Sequence, residues 1–274
     1  MRADLVWDDL WERLASLLPP ARERRRQHPG RLRVPDRTAL AGVLFVLRTG
    51  VAWRDVPAET VGSSGVTAWR RLRDWTEAGV WPRLHAALLT ELRRAGLLDL
   101  DDCSVDGSHV RALKRGDHVG PSPVDRARPG SKHRLIVDRH GTPLAVTLTG
   151  GNRHDVTQLL PLLDAVPPIR GRRGRPRRKP RCLYADRGYD FDKYRRLLWK
   201  RSIKPLIARR GVAHGSGLGK VRWVVERAFA WLHQFKRLRV RYERRGDLHL
   251  GLLELACSLI CLRRLLQARQ PSRQ

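Results

Sequence analysis

A change of pattern near residue 100 constrains the fold of this 274-residue chain more than any other feature of its sequence. Before that point, apolar residues recur at the three- and four-residue spacing of amphipathic helices. After it, short apolar runs alternate with helical segments, which is typical of an α/β protein with a mixed sheet. The sequence therefore predicts a small all-α domain, residues 1–96, an α/β domain, residues 97–268, and a disordered tail, residues 269–274.

Five strand-like runs define the predicted mixed five-stranded sheet with flanking helices. The first ends at Asp106, the second and third form a hairpin around the turn 139–142, and the last two are CLYAD and KPLIA. Helices are predicted at 155–166, with Asp155 as N-cap, and at 190–202, 218–238 and 247–268. No GxGxxG motif follows the first strand, which argues against a Rossmann fold.

The charge of the chain points to a polyanionic partner. There are 56 Lys and Arg residues against 27 Asp and Glu residues, which leaves a net charge of +29. Such an excess favours binding to phosphates through counterion release, so we expect a nucleic acid as the partner. Charge alone leaves two alternatives open, a structural RNA-binding protein of the ribosomal type and a solvated basic surface without a partner.

Two predicted helices in the first domain resemble a DNA-binding arrangement. A helix begins near Asp36 and ends at Gly50, and a basic amphipathic helix follows within 63–75. Its apolar face is predicted to contain Val66, Trp69, Leu72 and Trp75. The arginines that point elsewhere are Arg70, Arg71 and Arg73. A helix-turn-helix unit could place this second helix in a major groove, and a helical bundle with water-facing arginines is the alternative.

An arginine-rich loop, RGRRGRPRRKPR, occupies residues 170–181. Its RGRP segment resembles the core of an AT-hook, whose arginines reach into a narrow minor groove. Arg173 and Arg175 are therefore candidate DNA contacts, with a solvated basic loop as the alternative.

Three acids in the α/β domain could converge into a catalytic metal site. Asp106 and Asp186 are predicted at the ends of two strands, and Glu226 lies on the helix after the last strand. Clustered carboxylates need a cation, and oxygen ligands suit Mg²⁺ or Mn²⁺. Two such ions could drive cleavage or joining of phosphodiesters. Alternatively, each acid could be an ordinary cap or surface residue.

The chain resembles the bacterial insertion-sequence DDE transposases with an RNase H-like catalytic domain. The resemblance covers nearly the whole chain, through RTALAGVLFVLRTGVAWRDVP, TAWRRLRDWTEAGVW, VDGSHVRA, GPSPVDRARPGSKHRLIVDRHGTPLAVTLTGGNRHDV, YADRGYD and RWVVERAFAWLHQFKRLRVRYERR. It implies that Asp106, Asp186 and Glu226 are the catalytic and metal-binding triad for two ions, with Asp106 bridging both.

The same resemblance concerns the residues around the glutamate. Related transposases carry a Tyr, Arg, Glu, Lys pattern there, and Arg222 fits its arginine, which could hold a phosphate or orient Glu226. Gly219 and His233 stand at the Tyr and Lys positions and depart from the pattern. Arg187, next to Asp186, is a further candidate phosphate contact.

The implied function is that of a transposase whose partner is double-stranded DNA. It would bind terminal inverted repeats, cleave DNA strands and transfer them to a target DNA. It would act as a homodimer or higher oligomer on DNA. A domesticated DNA-binding protein without catalysis and an RNase H-type nuclease without strand transfer are the alternatives. The four cysteines form no CxxC pair, and no apolar run reaches about 18 residues. We therefore expect a cytoplasmic protein, nucleoid-associated on DNA, without a membrane span or small-molecule substrate.

Overall fold

The computed structural model describes residues 5–21, 27, 32–211 and 219–269. The N-terminal part is helical, as the spacing of its apolar residues predicts. Its helices are α1 (Asp8–Ala15), α2 (Asp36–Thr49), α3 (Ala58–Val61), α4 (Gly65–Glu77) and α5 (Val80–Arg94). Helix α2 ends where predicted, because Gly50 adopts the left-handed conformation (φ 76°) that favours glycine at a helix C-terminus.

Strands and helices alternate after residue 100. In the described part of the chain they are β1 (Asp102–Ala112), β2 (Gly120–Pro121), β3 (Pro129–Val137), β4 (Pro143–Gly150), α6 (Leu159–Asp164), β5 (Cys182–Ala185), α7 (Asp192–Lys200), β6 (Lys204–Ile207), α8 (Gly219–His233), β7 (Val240–Arg241) and α9 (Gly246–Arg269). The five longer strands are the five predicted from the sequence, and β2 and β7 are two-residue additions.

The sheet is mixed and centred on β1. Strand β3 pairs with one edge of β1 in antiparallel fashion and β5 with the other edge in parallel, while β4 continues beyond β3 and β6 beyond β5. This arrangement confirms the predicted α/β class, with an RNase H-like sheet flanked by helices. One boundary was predicted wrongly: β1 continues to Ala112, because β3 and β7 pair with its second half, so Asp106 lies within the strand.

Helix α9 joins the two parts of the molecule by packing on α5, α4 and β4. The helix predicted at 247–268 buries a stripe of leucines, Leu248, Leu252, Leu255, Leu259 and Leu262. One cluster of buried apolar side chains includes residues of both parts. The domain boundary at residues 96 and 97 remains a prediction. Arg269 is the last residue of α9, and residues 270–274 of the predicted tail lie outside the described residues.

Among the described helices, none is both long and apolar enough to cross a bilayer.

Helix α4 differs from its predicted form in two respects. Its buried face contains Leu72 and Trp75, but the Val66 side chain is 55% exposed, because about 100° of rotation per residue places it on the side of the helix away from the buried residues. The connection to α2 is the segment 50–64, which holds a 3₁₀ turn and α3, where the sequence predicts a short turn. A helix-turn-helix unit is therefore not confirmed.

A buried chain of polar side chains links the N-terminal helices to the sheet. Arg237 donates to the Val51 carbonyl at 3.0 Å and to Glu243 Oε1 at 2.6 Å. Glu243 Oε2 lies 3.4 Å from His249 Nδ1, and His249 Nε2 lies 2.8 Å from His133 Nε2 in β3. Burial works to raise the pKa of the Glu243 carboxyl, but the hydrogen bond from His249 and the charge of Arg237 outweigh it and lower that pKa to about 2.

Removing the charge of Glu243 should destabilise the fold, because the buried Arg237 guanidinium loses its partner. We expect Glu243→Gln to lower the free energy of unfolding by about 3 kcal/mol. The control Glu77→Gln breaks an exposed pair with Arg245 and should cost less than about 1 kcal/mol. Urea unfolding at pH 7, followed by circular dichroism, measures both variants, and equal losses would contradict the expectation.

The same carboxylate makes the stability depend on acid pH. Its pKa in the folded protein lies below the ordinary value of 4.5, so the contribution is complete above about pH 4.5 and is lost as the pH falls towards 2. Glu243→Gln should therefore unfold with a weaker pH dependence than the wild type across this window.

Candidate active site

Two aspartates are neighbours because their strands pair in parallel. Ser104 of β1 is the register partner of Tyr184 of β5. Asp106 and Asp186 each lie two residues further along the sequence from these partners. Asp106 faces Leu135 of β3 on its other side. Asp186 follows the last residue of β5. The sheet register thus brings together two of the three acids that the sequence singles out.

Both carboxylate oxygens of Asp106 accept a hydrogen bond. Gly107 N donates to Oδ1 at 2.8 Å, and Arg222 Nη1 donates to Oδ2 at 2.8 Å. Burial raises the pKa of the Asp106 carboxyl and is the largest influence on it. The hydrogen bond from Gly107 and the charge of Arg222 lower that pKa, whereas the charge of Asp186 raises it, and the net direction is upward. Burial accounts for the net rise in this pKa, and the charge of Arg222 offsets the repulsion from Asp186.

Asp186 is positioned by the turn that follows β5. It is the N-cap of a 3₁₀ turn, Arg187–Tyr189, and its Oδ1 accepts a hydrogen bond from Gly188 N at 2.9 Å. This bond uses the capping preference of aspartate to fix the carboxylate at the strand end. Arg187 is half-buried in the same turn, beside the acid, where the sequence predicts a phosphate contact.

Glu226 reaches the site through Arg222. Helix α8 packs on β1 and β3, and Arg222 and Glu226 lie one turn apart on it. Arg222 Nη2 donates to Glu226 Oε1 at 2.8 Å while its Nη1 donates to Asp106, so one guanidinium bridges two of the three acids. The Glu226 side chain is 58% exposed and is the most accessible member of the triad.

A fourth acid, Asp155, lies beside the site and was predicted in another role. The sequence predicts it as a helix N-cap, but His154 takes that position, and Asp155 pairs with Lys132 at 3.0 Å and Arg134 at 3.2 Å. Its Oδ1 would lie only 3.1 Å from a Cβ placed on Gly107, so it lies against the backbone next to Asp106. The sequence signal for this contact was the pair of basic residues Lys132 and Arg134, two apart at the start of the strand-like run KHRLIV, residues 132–137.

Tyr189 is a second residue at this site. Its side chain is buried, and no hydrogen-bond partner of its hydroxyl occurs among the described residues. Burial raises the pKa of this hydroxyl well above its ordinary value, and the charges of Asp155, Asp106 and Asp186 add to that rise. The Tyr189 hydroxyl is therefore a buried polar group near the acids that has no hydrogen-bond partner in the described part of the chain.

The chemistry of this donor set fits a divalent cation. The groups are carboxylate oxygens, which Mg²⁺ and Mn²⁺ prefer as ligands, and the charge of Asp186 adds to the rise in the pKa of Asp106. Within residues 5–21, 27, 32–211 and 219–269, no three His, Cys, Asp or Glu side chains lie close enough together to hold one metal ion. The guanidinium of Arg222 stands where a cation would neutralise Asp106 and Glu226 together.

The predicted DNA-contacting arginines of α4 differ in their availability. Arg70 is exposed. Arg71 donates to Asp36 at 2.9 Å, and Arg73 donates to Asp74 at 2.7 Å and lies over the Trp69 ring. Arg70 is therefore the member of this group whose side chain is most accessible to a ligand.

Other predicted contacts lie away from the triad. Arg173 and Arg175 are exposed in the loop that precedes β5, whereas Asp186 follows β5, so the strand separates them. Gly219 begins α8 and His233 ends it. Burial lowers the pKa of the His233 imidazole, which makes this residue a neutral counterpart of the lysine in related sequences.

Two family models match this chain. The family model described as "Transposase DDE domain" matches residues 99–261, a stretch that contains all three acids. A second model, described as "Putative transposase of IS4/5 family", matches residues 6–85.

Similar proteins and structures include the following three. A Burkholderia cepacia protein named "Putative transposase for insertion sequence element IS402" is 62% identical over 152 residues, which are 56% of this chain and 72% of that protein. A 16.2 kDa protein of the same insertion element is 51% identical over 45% of this chain and 84% of its own length. The pre-cleavage Mos1 transpososome aligns with 89% of this chain and 82% of its own, at 14% identity and a TM-score of 0.27.

The match to the DDE model spans more than half of the 274 residues, and it joins a region that holds the paired aspartates to the helix that carries Glu226. The chain belongs to the family of transposases that carry a DDE domain.

Proposed function

We propose that this transposase binds the terminal inverted repeats of an insertion element and cleaves and transfers their strands with Asp106, Asp186 and Glu226. The observation that supports the proposal is the placement of Asp106 beside Asp186 by the register of β1 and β5, with Glu226 linked to Asp106 through the Arg222 bridge. The DDE domain implies a dependence on a divalent metal ion, and we propose two Mg²⁺ or Mn²⁺ ions.

Each acid has a distinct position in the proposed mechanism. Asp106 neighbours Asp186 and shares Arg222 with Glu226, and, as the family resemblance implies, it would contribute to both ion positions, with Asp186 completing one and Glu226 the other. The bound ions supply activation of a water or 3′-hydroxyl and stabilisation of the leaving oxygen in an in-line displacement. The hydrogen bonds from Gly107 N and Gly188 N hold the two aspartates in fixed orientations before any ligand arrives.

Arg222 provides the positive charge that the acids need in the protein alone. Its two bonds, each 2.8 Å, neutralise Asp106 and Glu226 without a ligand. We propose that Arg222 turns away from the acids when cations enter and then donates to a phosphate oxygen of the DNA. A planar guanidinium suits both tasks, because it donates in pairs to carboxylate and phosphate alike.

The proposed DNA path uses the basic surface outside the triad. Arg70 on α4, the loop with Arg173 and Arg175, and Arg187 beside Asp186 are its candidate phosphate contacts. The N-terminal helices would recognise the element end, and the α/β part would act on it. Two or more copies assembled on DNA would hold both ends of an element, and such assemblies would be found at the nucleoid.

Loss of any one acid should abolish cleavage and leave DNA binding intact. We expect Asp106→Asn, Asp186→Asn and Glu226→Gln each to lower the rate of strand cleavage at least about 100-fold, because several kcal/mol of transition-state stabilisation are lost. The matched control Asp192→Asn removes an exposed acid that pairs with Arg209. Its cleavage rate should stay within about twofold of the wild type.

The assay uses a labelled duplex with the inverted repeat that flanks the gene, together with Mg²⁺ and a target plasmid. Cleaved ends joined to the plasmid support the proposal. Cleavage without joining would favour a nuclease, and binding without cleavage by the wild type would favour a DNA-binding protein without catalysis.

Removing Arg222 should make the acids bind a metal ion more tightly, since the guanidinium competes for the same oxygens. We expect Arg222→Gln to bind Mn²⁺ about tenfold more tightly than the wild type, seen as a larger rise in the melting temperature with Mn²⁺. The control Arg227→Gln lies on the same helix and contacts the rings of Trp223 and Trp231. Weaker Mn²⁺ binding in Arg222→Gln would mean that the arginine orients the acids for the metal.

Arg70 should contribute a phosphate contact. Arg70→Gln is expected to weaken DNA binding equally for different sequences and to reduce the slope of log affinity against log salt concentration by about 1. Arg71→Gln is the contrast, because Arg71 is paired with Asp36 and should mainly affect stability. Fluorescence anisotropy at several salt concentrations measures both slopes, and an unchanged slope in Arg70→Gln would exclude this contact.

A further inference from the structure

A cavity of about 510 Å³ opens where the N-terminal helices meet the segment that leads into α9. Three aromatic side chains contribute to its walls, Trp53, Trp69 and Tyr242, and exposed cations, including Lys114 and Arg244, lie around it. We propose that this cavity binds one unpaired nucleotide of the DNA substrate, with its base against the aromatic rings and its phosphate at the cations.

The aromatic walls are held in place by buried or partly buried arginines. The Arg237 guanidinium lies 4.6 Å from the centre of the Tyr242 ring and 5.7 Å from that of Trp53. Arg73 lies 5.7 Å from the centre of the Trp69 ring. All three rings are half-buried, so each keeps accessible surface. Fixed aromatic surfaces of this kind stack on unpaired bases, whose π-faces a duplex conceals.

The cations around the cavity are of two kinds. Arg237 and Arg245 are already committed, the first to Glu243 at 2.6 Å and the second to both Glu77 and Asp247. Lys114 and Arg244 are exposed, and within the described ranges neither side chain has an ion-pair partner. The cavity therefore offers uncompensated positive charge beside aromatic surface, and that combination matches a nucleotide.

The size and place of the cavity fit a single nucleotide at a distance from the triad. Its volume lies in the range of small-ligand pockets, about 300–1,000 Å³, and far below that of a duplex segment. Lys114 follows the end of β1, eight residues beyond Asp106, which corresponds to roughly 25 Å at the rise of an extended chain. One DNA end could reach both places across roughly seven or eight base pairs.

The proposal rests on DNA being the substrate, as proposed above, but not on catalysis by the acids. Binding is therefore measured by fluorescence anisotropy in EDTA, with a blunt duplex and with the same duplex carrying an unpaired overhang of four thymidines. We expect wild-type protein to bind the overhang DNA more tightly, because only that DNA supplies a free base. Asp192→Asn, which changes an exposed acid on α7 outside both the triad and the cavity, should bind both DNAs like the wild type.

Two pairs of variants test the two contacts. Lys114→Glu should weaken binding of the overhang DNA about tenfold, whereas the matched control Lys200→Glu makes the same change at an exposed position on α7, distant along the chain. Tyr242→Ala should remove the preference for the overhang, and Tyr242→Phe, which keeps the ring, should retain it. Melting temperatures of all variants establish that each is folded.

Three outcomes would overturn the proposal. They are an equal loss of affinity for blunt and overhang DNA in Lys114→Glu, an overhang preference that survives in folded Tyr242→Ala, and the absence of any preference in the wild type. If cleavage fails with intact acids while the overhang preference depends on Lys114 and Tyr242, the catalytic proposal fails and this one stands. If cleavage depends on the acids but the wild type shows no preference for overhang DNA, the catalytic proposal stands and the nucleotide-binding proposal fails.

Discussion

The parallel pairing of β1 with β5 brings two carboxylates together, and the rest of the site is arranged around the repulsion between them. The pKa of Asp106 is raised by burial and, further, by the charge of Asp186. Two backbone amides and the guanidinium of Arg222 supply the opposing positive character. Arg222 also donates to Glu226. The same guanidinium therefore neutralises Asp106 and links helix α8 to it. A cation that enters the site therefore replaces an interaction that the protein already makes.

The sequence predicts the strands because they follow from local patterns, whereas the approach of Asp106 to Asp186 depends on which strands pair, and the sequence offers it only as one alternative. Apolar runs of strand length, and the glycine turn after Asp186, can be recognised in the sequence whatever the order of the strands in the sheet. The extent of β1 is not readable in this way: the residues after Asp106 alternate poorly, and they are extended because β3 and β7 pair with them. Val66 was misplaced for a different reason: a repeated three-residue spacing drifts around a helix of 3.6 residues per turn, so Val66 does not share the face of Leu72 and Trp75.

Side-chain partners distant in sequence were beyond prediction. Asp155 has the sequence of an N-cap, yet Lys132 and Arg134 on a neighbouring strand hold it beside Gly107. The charge of +29 likewise overstates what faces DNA, because Arg134, Arg237 and Arg241 are buried in the fold. Composition predicts a polyanionic partner correctly as a class. Composition does not show which arginines are paired with carboxylates and carbonyls inside the protein. Those pairings determine which basic surface is left to contact phosphates.

The buried polar chain fixes the spacing between the aromatic cavity and the triad. Arg237 contacts two rings of the cavity and, through Glu243 and His249, reaches His133 of β3. His133 pairs in register with Ser108 of β1, two residues from Asp106. Every link is buried, so breaking one would leave an uncompensated polar or charged group at a cost of several kcal/mol. The protein between the aromatic cavity and the triad is therefore rigid. A DNA end that occupies both must itself deform, by bending or by opening its terminal base pairs. Unpairing near an end is the less costly of the two over so short a distance, which agrees with a cavity shaped for one unpaired nucleotide.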